Sequence, residues 1–182
     1  MKRRQFIHST LAAASMAAIP GLAATGKPHL EGALLRTGHI GTGRQGRKHL
    51  RLAGGLPGYD IHTICDVLPF QLDEAKKLVG PGTKAVEDYR YILDDPAIDA
   101  VIIATPNHLH APLSLEALEA KLPVYCEIPI GYTAQECFDL VQAAARTKTV
   151  FQSGHHWRYG ELYRNARQLI AKGKIGRVAM VR

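Results

Sequence analysis

The sequence is poor in cysteine and aromatic residues, and it has no apolar run long enough to cross a membrane. Its three cysteines, Cys65, Cys126 and Cys137, are odd in number and form no C-x-x-C pair. A disulfide scaffold or zinc ribbon is therefore not expected, and buried thiols are the plain reading for Cys65 and Cys126, which fall at expected strand ends. The apolar stretch Leu11 to Ile19 is shorter than the roughly 20 residues a spanning helix needs. Like charges never run in blocks of five or six, so the net charge of +7 does not read as a nucleic-acid or membrane patch. Lys2, Arg3 and Arg4 supply three of those charges before any acid appears. No repeat or low-complexity linker follows residue 30. What is present is a hydrophobic fraction of 46%, ample for one packed core.

Residues 1–26 read as an export signal, a charged start followed by a short Ala-rich apolar stretch and then small residues at Gly21, Ala23, Ala24 and Thr25. Arg3-Arg4-Gln5-Phe6-Ile7 resembles a twin-arginine signal, used for proteins exported already folded. A periplasmic location is expected, with an uncleaved anchor or an ordinary secretory signal as the alternatives.

The most informative stretch is Gly41-Thr42-Gly43-Arg44-Gln45-Gly46, with Asp66 following its last glycine by twenty residues. Such a loop alone is weak. Here the apolar Leu34-Leu35 and Ile40 lead into it, a helix-compatible run from Lys48 to Ala53 leaves it, and Ile61 to Asp66 reads as the next strand. That order is the fingerprint of a dinucleotide-binding βαβ unit. Gly41 allows the tight turn, Gly43 lets backbone approach a pyrophosphate, and Gly46 lets helix pack on strand. Asp66 is placed to accept hydrogen bonds from a ribose. Its carboxylate favours NAD over NADP, a preference that Arg44 softens because it could reach a 2′-phosphate.

Beyond the loop, short β-branched runs alternate with longer amphipathic stretches, which predicts an α/β fold with a doubly wound parallel sheet. Helices are expected from Pro69 to Val79, Tyr89 to Leu93, Ala111 to Ala120 and Gly160 to Ala171. Thr133 and Glu136 form a capping box for another, to Thr147. Strands are expected at Lys84–Val86, Asp99–Ala104, Pro123–Cys126 and Val150–Ser153. Arg36-Thr37-Gly38-His39 is unusually polar for a central parallel strand. Val178 to Arg182 reads as a further strand. The expected organisation is a signal over 1–26, a Rossmann domain over 32–154, and over 155–182 a linker helix and the start of a second α+β domain that the chain breaks off.

Ligands of open α/β sheets collect at the carboxyl ends of strands. Those ends carry Asp66, Thr105-Pro106-Asn107-His108-Leu109-His110, Cys126-Glu127-Ile128-Pro129 and Gly154-His155-His156-Trp157-Arg158. The order G-T-G-R-Q-G, C-D-V, A-T-P-N-H-x-H, Y-C-E-x-P and G-H-x-x-R resembles the Gfo/Idh/MocA family of sugar and polyol oxidoreductases over residues 34 to 182. The resemblance implies an N-terminal Rossmann domain followed by an α+β domain whose open sheet often makes the oligomer contact. It implies that the Gly41–Gly46 loop, with Thr42, Arg44 and Gln45, and Asp66 bind NAD. It further implies that Thr105, Pro106, Asn107, His110, Glu127 and Pro129 line the cofactor, and that His155 and Arg158 face the cofactor or substrate cleft as tentative catalytic groups.

One position departs from the family pattern. Its dehydrogenases carry a lysine where this chain has Ile128, and isoleucine has no proton to move. The NAD-dependent glycosidases of the family are similar in having an apolar residue there. Three readings stay open: a dehydrogenase acting on a sugar, polyol or derivative by hydride transfer, a glycosidase working by oxidation and elimination, and a binding-only relative. Tyr132, His155 or His156 could carry protons in the second. Residues His155, His156, Trp157 and Tyr159 also have ordinary readings as strand-end polar groups or packing surface. His108 and His110 stand one residue apart with no further ligand cluster, so no metal is expected.

Overall fold

The computed structural model describes residues 34–177 and 179–180 of the chain. The expected signal lies outside the described residues, as do Val178, Val181 and Arg182 of the expected last strand; Ala179 and Met180 are in no strand.

Among the described residues six strands form one parallel sheet: β1 (Leu35–Ile40), β2 (Tyr59–Cys65), β3 (Lys84–Val86), β4 (Ala100–Ile103), β5 (Val124–Cys126) and β6 (Phe151–Ser153). Their spatial order is β3-β2-β1-β4-β5-β6, the doubly wound order. Chain direction across the sheet reverses between β1 and β4, which opens a crevice at their carboxyl ends. The helices are α1 (Arg44–Ala53), α2 (Pro69–Lys76), α3 (Arg90–Leu93), α4 (His110–Glu119), α5 (Ala134–Thr147) and α6 (Glu161–Ala171). Helices α1 and α2 pack on β2, whereas α4 packs on β4 and β5 with α5 beside it.

Two apolar cores result. Leu50 and Ala53 of α1 join Ile61, Ile64, Leu72 and Ala75 in one. The larger one gathers Ile40, Ile92, Val101, Ile103, Leu118, Val124 and Leu140. Burying each such side chain contributes about 1.5–3 kcal/mol relative to exposure. The membership of Ile61 and Ile64 in one core departs from strand alternation, and the register explains it. Thr37 pairs with Ile61 but Gly38 with Thr63, so His62 is an extra residue. That bulge turns the later side chains of β2 over.

The polar β1 is also accounted for. A Cβ at Gly38 would lie 2.3 Å from Ile92 Cγ2, so only glycine lets α3 approach. Thr37 Oγ1 donates to Asp60 O at 2.9 Å, and His39 Nε2 lies 3.2 Å from both Thr37 Oγ1 and Tyr59 Oη. Burial pushes the His39 pKa down to about 3, with the nearby His49 adding to the effect, so the ring is neutral.

The helix expected to start at Lys48 begins at Arg44, which brings the glycine loop's last three residues into its first turn. Helix α2 ends at Lys76 rather than Val79. The capping box forms as expected: Glu136 N donates to Thr133 Oγ1 at 3.2 Å, and Thr133 N donates to Glu136 Oε2 at 2.9 Å. Among the described residues no helix is long and apolar enough to cross a membrane.

Candidate functional site

The glycine loop closes the end of β1 and opens α1. Gly41 has φ +92°, and a Cβ on it would meet the Ala104 backbone at 2.7 Å, so turn and close approach both demand glycine. A Cβ at Gly46 would fall 2.0 Å from Gly41 O, so its absence lets α1 start hard against the strand end. A Cβ at Gly43 would meet no protein atom within 4 Å. That side of the loop is open, as approach by a phosphate requires. The N-terminus of α1 has no side-chain cap and no acidic residue in its first turn. Backbone N–H groups and the positive end of the helix dipole are thus left for an anion.

Asp66 stands beside this turn. Its Oδ2 accepts from Thr42 N at 2.8 Å and Thr42 Oγ1 at 3.1 Å, and its Oδ1 accepts from Leu68 N at 3.1 Å. Thr42 is fully buried, so it serves as the tie between loop and carboxylate. Arg44 is exposed on the rim. Arg47, one turn into α1, donates to Thr42 O at 2.9 Å and also bonds Gln71 Oε1 of α2.

Across the crevice lies the loop after β4. Pro106 and Asn107 are exposed, while Thr105 Oγ1 is buried with no hydrogen-bond partner among the described residues. His110 lies behind the loops, its ring nitrogens 2.7 Å from Pro129 O and 2.8 Å from Thr105 O. With 1% of its surface exposed, it braces two strand-end loops and presents no ring atom to the open side.

After β5, Glu127 is buried and points back under α1. Its Oε1 lies 2.6 Å from His49 Nε2 and 3.0 Å from Gln45 Nε2, with Tyr125 Oη at 3.4 Å. Burial raises this carboxyl's pKa, but the bonds from His49 and Gln45, together with the His49 charge, outweigh it and hold it at about 2. Ile128 and Pro129 follow, exposed at the crevice and joined by a cis peptide bond. At the end of β6, Ser153 Oγ lies 2.9 Å from His155 Nδ1, which leaves the exposed ring's Nε2 free of that contact. Arg158 is exposed on the short 3-10 turn His156–Tyr159.

An uncapped helix start, an open glycine and a fixed carboxylate at the switch point form a fitting cradle for a dinucleotide. The family model described as the oxidoreductase family with an NAD-binding Rossmann fold, GFO_IDH_MocA, matches residues 35–155. The chain belongs to the Gfo/Idh/MocA family. It is 32% identical over 149 residues to the inositol 2-dehydrogenase of Salmonella typhimurium, covering 81% of this chain and 44% of that protein. A glycosyl hydrolase family 109 protein of Stenotrophomonas maltophilia is 30% identical over 186 residues, covering 97% of this chain and 40% of the relative. The chain thus spans less than half the length of these relatives. Among solved structures, scyllo-inositol dehydrogenase from Lactobacillus casei with bound NAD(H) and scyllo-inositol superposes with a TM-score of 0.72 at 33% identity, over 79% of this chain and 42% of that one.

Asp66, the Thr105 loop and the Ile128–Pro129 loop thus stand at the carboxyl ends of β2, β4 and β5, on the same edge of the sheet as the glycine loop after β1. One participant escaped the sequence reading. His49 stands outside every motif named above, yet it falls four residues after Gln45 on the same face of α1.

Proposed function

We propose that the chain is the cofactor-binding portion of an NAD-dependent oxidoreductase acting on a sugar, a polyol such as an inositol, or a derivative. The observation that carries this reading is the uncapped start of α1 at the open Gly43, beside an Asp66 carboxylate already fixed by Thr42. The α1 N–H groups would hold the pyrophosphate. Asp66 would receive ribose hydroxyls and repel a 2′-phosphate, so NAD is favoured over NADP. Bound NAD would supply a hydride acceptor for oxidation of a carbinol carbon. Around it, the Thr105–Asn107 and Ile128–Pro129 loops would wall the reacting end and exclude water, and His155, fixed through Nδ1 by Ser153, would offer Nε2 for a proton.

A second reading rests on Ile128, which puts an apolar side chain where a proton-transferring lysine is expected. It favours the redox-assisted glycosidase chemistry suggested by the family 109 likeness, in which NAD is regenerated each turnover. The two readings separate in one assay. A dehydrogenase accumulates NADH with polyol, whereas the glycosidase releases sugar with no net NADH. Neither product with any inositol, polyol or glycoside, despite NAD binding, would leave a binding-only protein.

The twin-arginine-like leader supports export of the folded holoprotein to the periplasm. Fusing residues 1–33 to a reporter tests this: export that persists in a host lacking the twin-arginine translocase would contradict it.

A further inference from the structure

Gln45 and His49 reach the same carboxylate oxygen of Glu127 from one face of α1, at 3.0 Å and 2.6 Å. Glu127 Oε2 is 3.4 Å from the Ile128 amide, and Glu127 N donates to Ile103 O of β4 at 2.9 Å. The other side is closed by β6, where a Cβ on Gly154 would stand 3.1 Å from both Glu127 Cα and Oε2. One buried carboxylate therefore joins the helix that opens at the glycine loop, the end of β4, and the loop carrying Ile128 and Pro129.

We propose that His49 is a positioning residue: with Gln45 it holds Glu127, and through Glu127 it locks the Ile128–Pro129 loop to the glycine-loop helix, so that the two ends of the cofactor crevice are set together. This deepens the cofactor reading above and rests on it. A buried carboxylate is costly unless its lone pairs are filled. The fold fills them chiefly with the two close donors of α1, while Tyr125 Oη of β5 stands farther off at 3.4 Å. Any displacement of α1 at the glycine loop is thus passed to the opposite wall by hydrogen bonds instead of by packing alone. The titratable groups facing Glu127 are His49 from α1, and Tyr125 and Cys126 from β5, the strand it follows; just past β6 the Gly154 backbone closes on it. His39 of β1 lies behind His49. With its carboxyl held at about 2, Glu127 is ionised across the neutral range, so the lock is closed there.

The test compares the wild-type chain with His49→Ala and His49→Gln. NAD affinity is measured by calorimetry between about pH 5 and pH 8, and amide exchange of residues 126–131 is measured without cofactor. Removing a hydrogen bond to a charged group predicts about a tenfold loss of NAD affinity in His49→Ala at neutral pH. The loss should deepen toward pH 5, because Glu127, deprived of its strongest partner, protonates at higher pH. Exchange of 126–131 should quicken while β1 and β4 stay protected. His49→Gln, which returns a donor to the same oxygen, should restore affinity and flatten the pH dependence.

Unchanged affinity and pH profile in His49→Ala overturn the proposal. So does a loss that neither varies with pH nor is rescued by glutamine, since that is the signature of lost packing. A wild-type chain that binds no NAD refutes the cofactor reading instead. Even then the exchange measurement decides the lock, and unchanged exchange in His49→Ala overturns it.

Discussion

Alanine at Gly46 and alanine at Gly43 should fail in opposite ways, although the two glycines are three residues apart in one loop. At Gly46 the new Cβ would lie 2.0 Å from Gly41 O and 2.9 Å from Gly41 C, so relief needs a movement of about 1 Å or more. Gly41 cannot supply it, because its N–H is bonded to Cys65 O at 2.8 Å and the Ala104 backbone presses on it from the other side. Helix α1 must retreat instead, dragging Leu50 and Ala53 out of their core. Overpacking of this kind costs about 1–3 kcal/mol, and against backbone the upper part of that range applies. The better helix propensity of alanine returns up to about 1 kcal/mol. The net loss is about 2 kcal/mol, or about 4–8 °C in Tm for a domain of this size. At Gly43, φ is −62° and ψ −164°, which an L-residue adopts freely, and no atom lies within 4 Å of the new Cβ. Stability should fall by about 0.5–1 kcal/mol, less than at Gly46, from a poorer N-cap. NAD affinity should nevertheless drop at least about tenfold, because the methyl group occupies the approach to the helix N-terminus. Urea unfolding and calorimetry on both variants check the pair. A Gly46→Ala protein as stable as wild type, or a Gly43→Ala protein that binds NAD unimpaired, would refute the reasoning.

Asp66→Ala should cost about 1–3 kcal/mol even without cofactor, because it strands the N–H of the fully buried Thr42, and thermal unfolding of the free chain reads this directly. His39 titrates near 3 when folded and near 6.5 when unfolded, so between those values the unfolded chain binds more protons and stability rises with pH. The slope from this residue is at most about 1.4 kcal/mol per pH unit, and His39→Gln should remove it from urea midpoints taken between about pH 4 and pH 7. Under the dehydrogenase reading proposed above, Ile128→Lys should raise NADH formation with inositols; an unchanged rate in a variant that still binds NAD would count against a missing proton carrier at that position.

The doubly wound sheet was legible because its signals are local: β-branched runs, the capping box at Thr133 and Glu136, and the glycine spacing each act within a few residues. The strand ends and loops that carry the candidate cofactor residues were legible for the same reason, since each is contiguous in sequence. What stayed hidden depends on contacts between distant residues. Nothing near His39 says that Thr37, Asp60 and Tyr59 will satisfy the polar residues of β1, or that Ile92 makes Gly38 necessary. The bulge at His62 is a matter of register between two strands and leaves no mark in either one. Glu127 could be read as a crevice residue from its motif, but its turn toward His49, 78 positions earlier, follows only from where the fold places α1 against the sheet. His110 likewise reads as a cleft histidine until both of its nitrogens are seen against Thr105 and Pro129 carbonyls.

Calorimetric titration of the purified chain with NAD, repeated with NADP and with the Gly43→Ala variant, tests the central claim most directly. The account predicts saturable binding of one NAD per chain, weaker binding of NADP because of Asp66, and a marked loss in the variant. Absence of heat or saturation with either cofactor at about millimolar concentration, where even a weak site of about −4 kcal/mol is half filled, would contradict it.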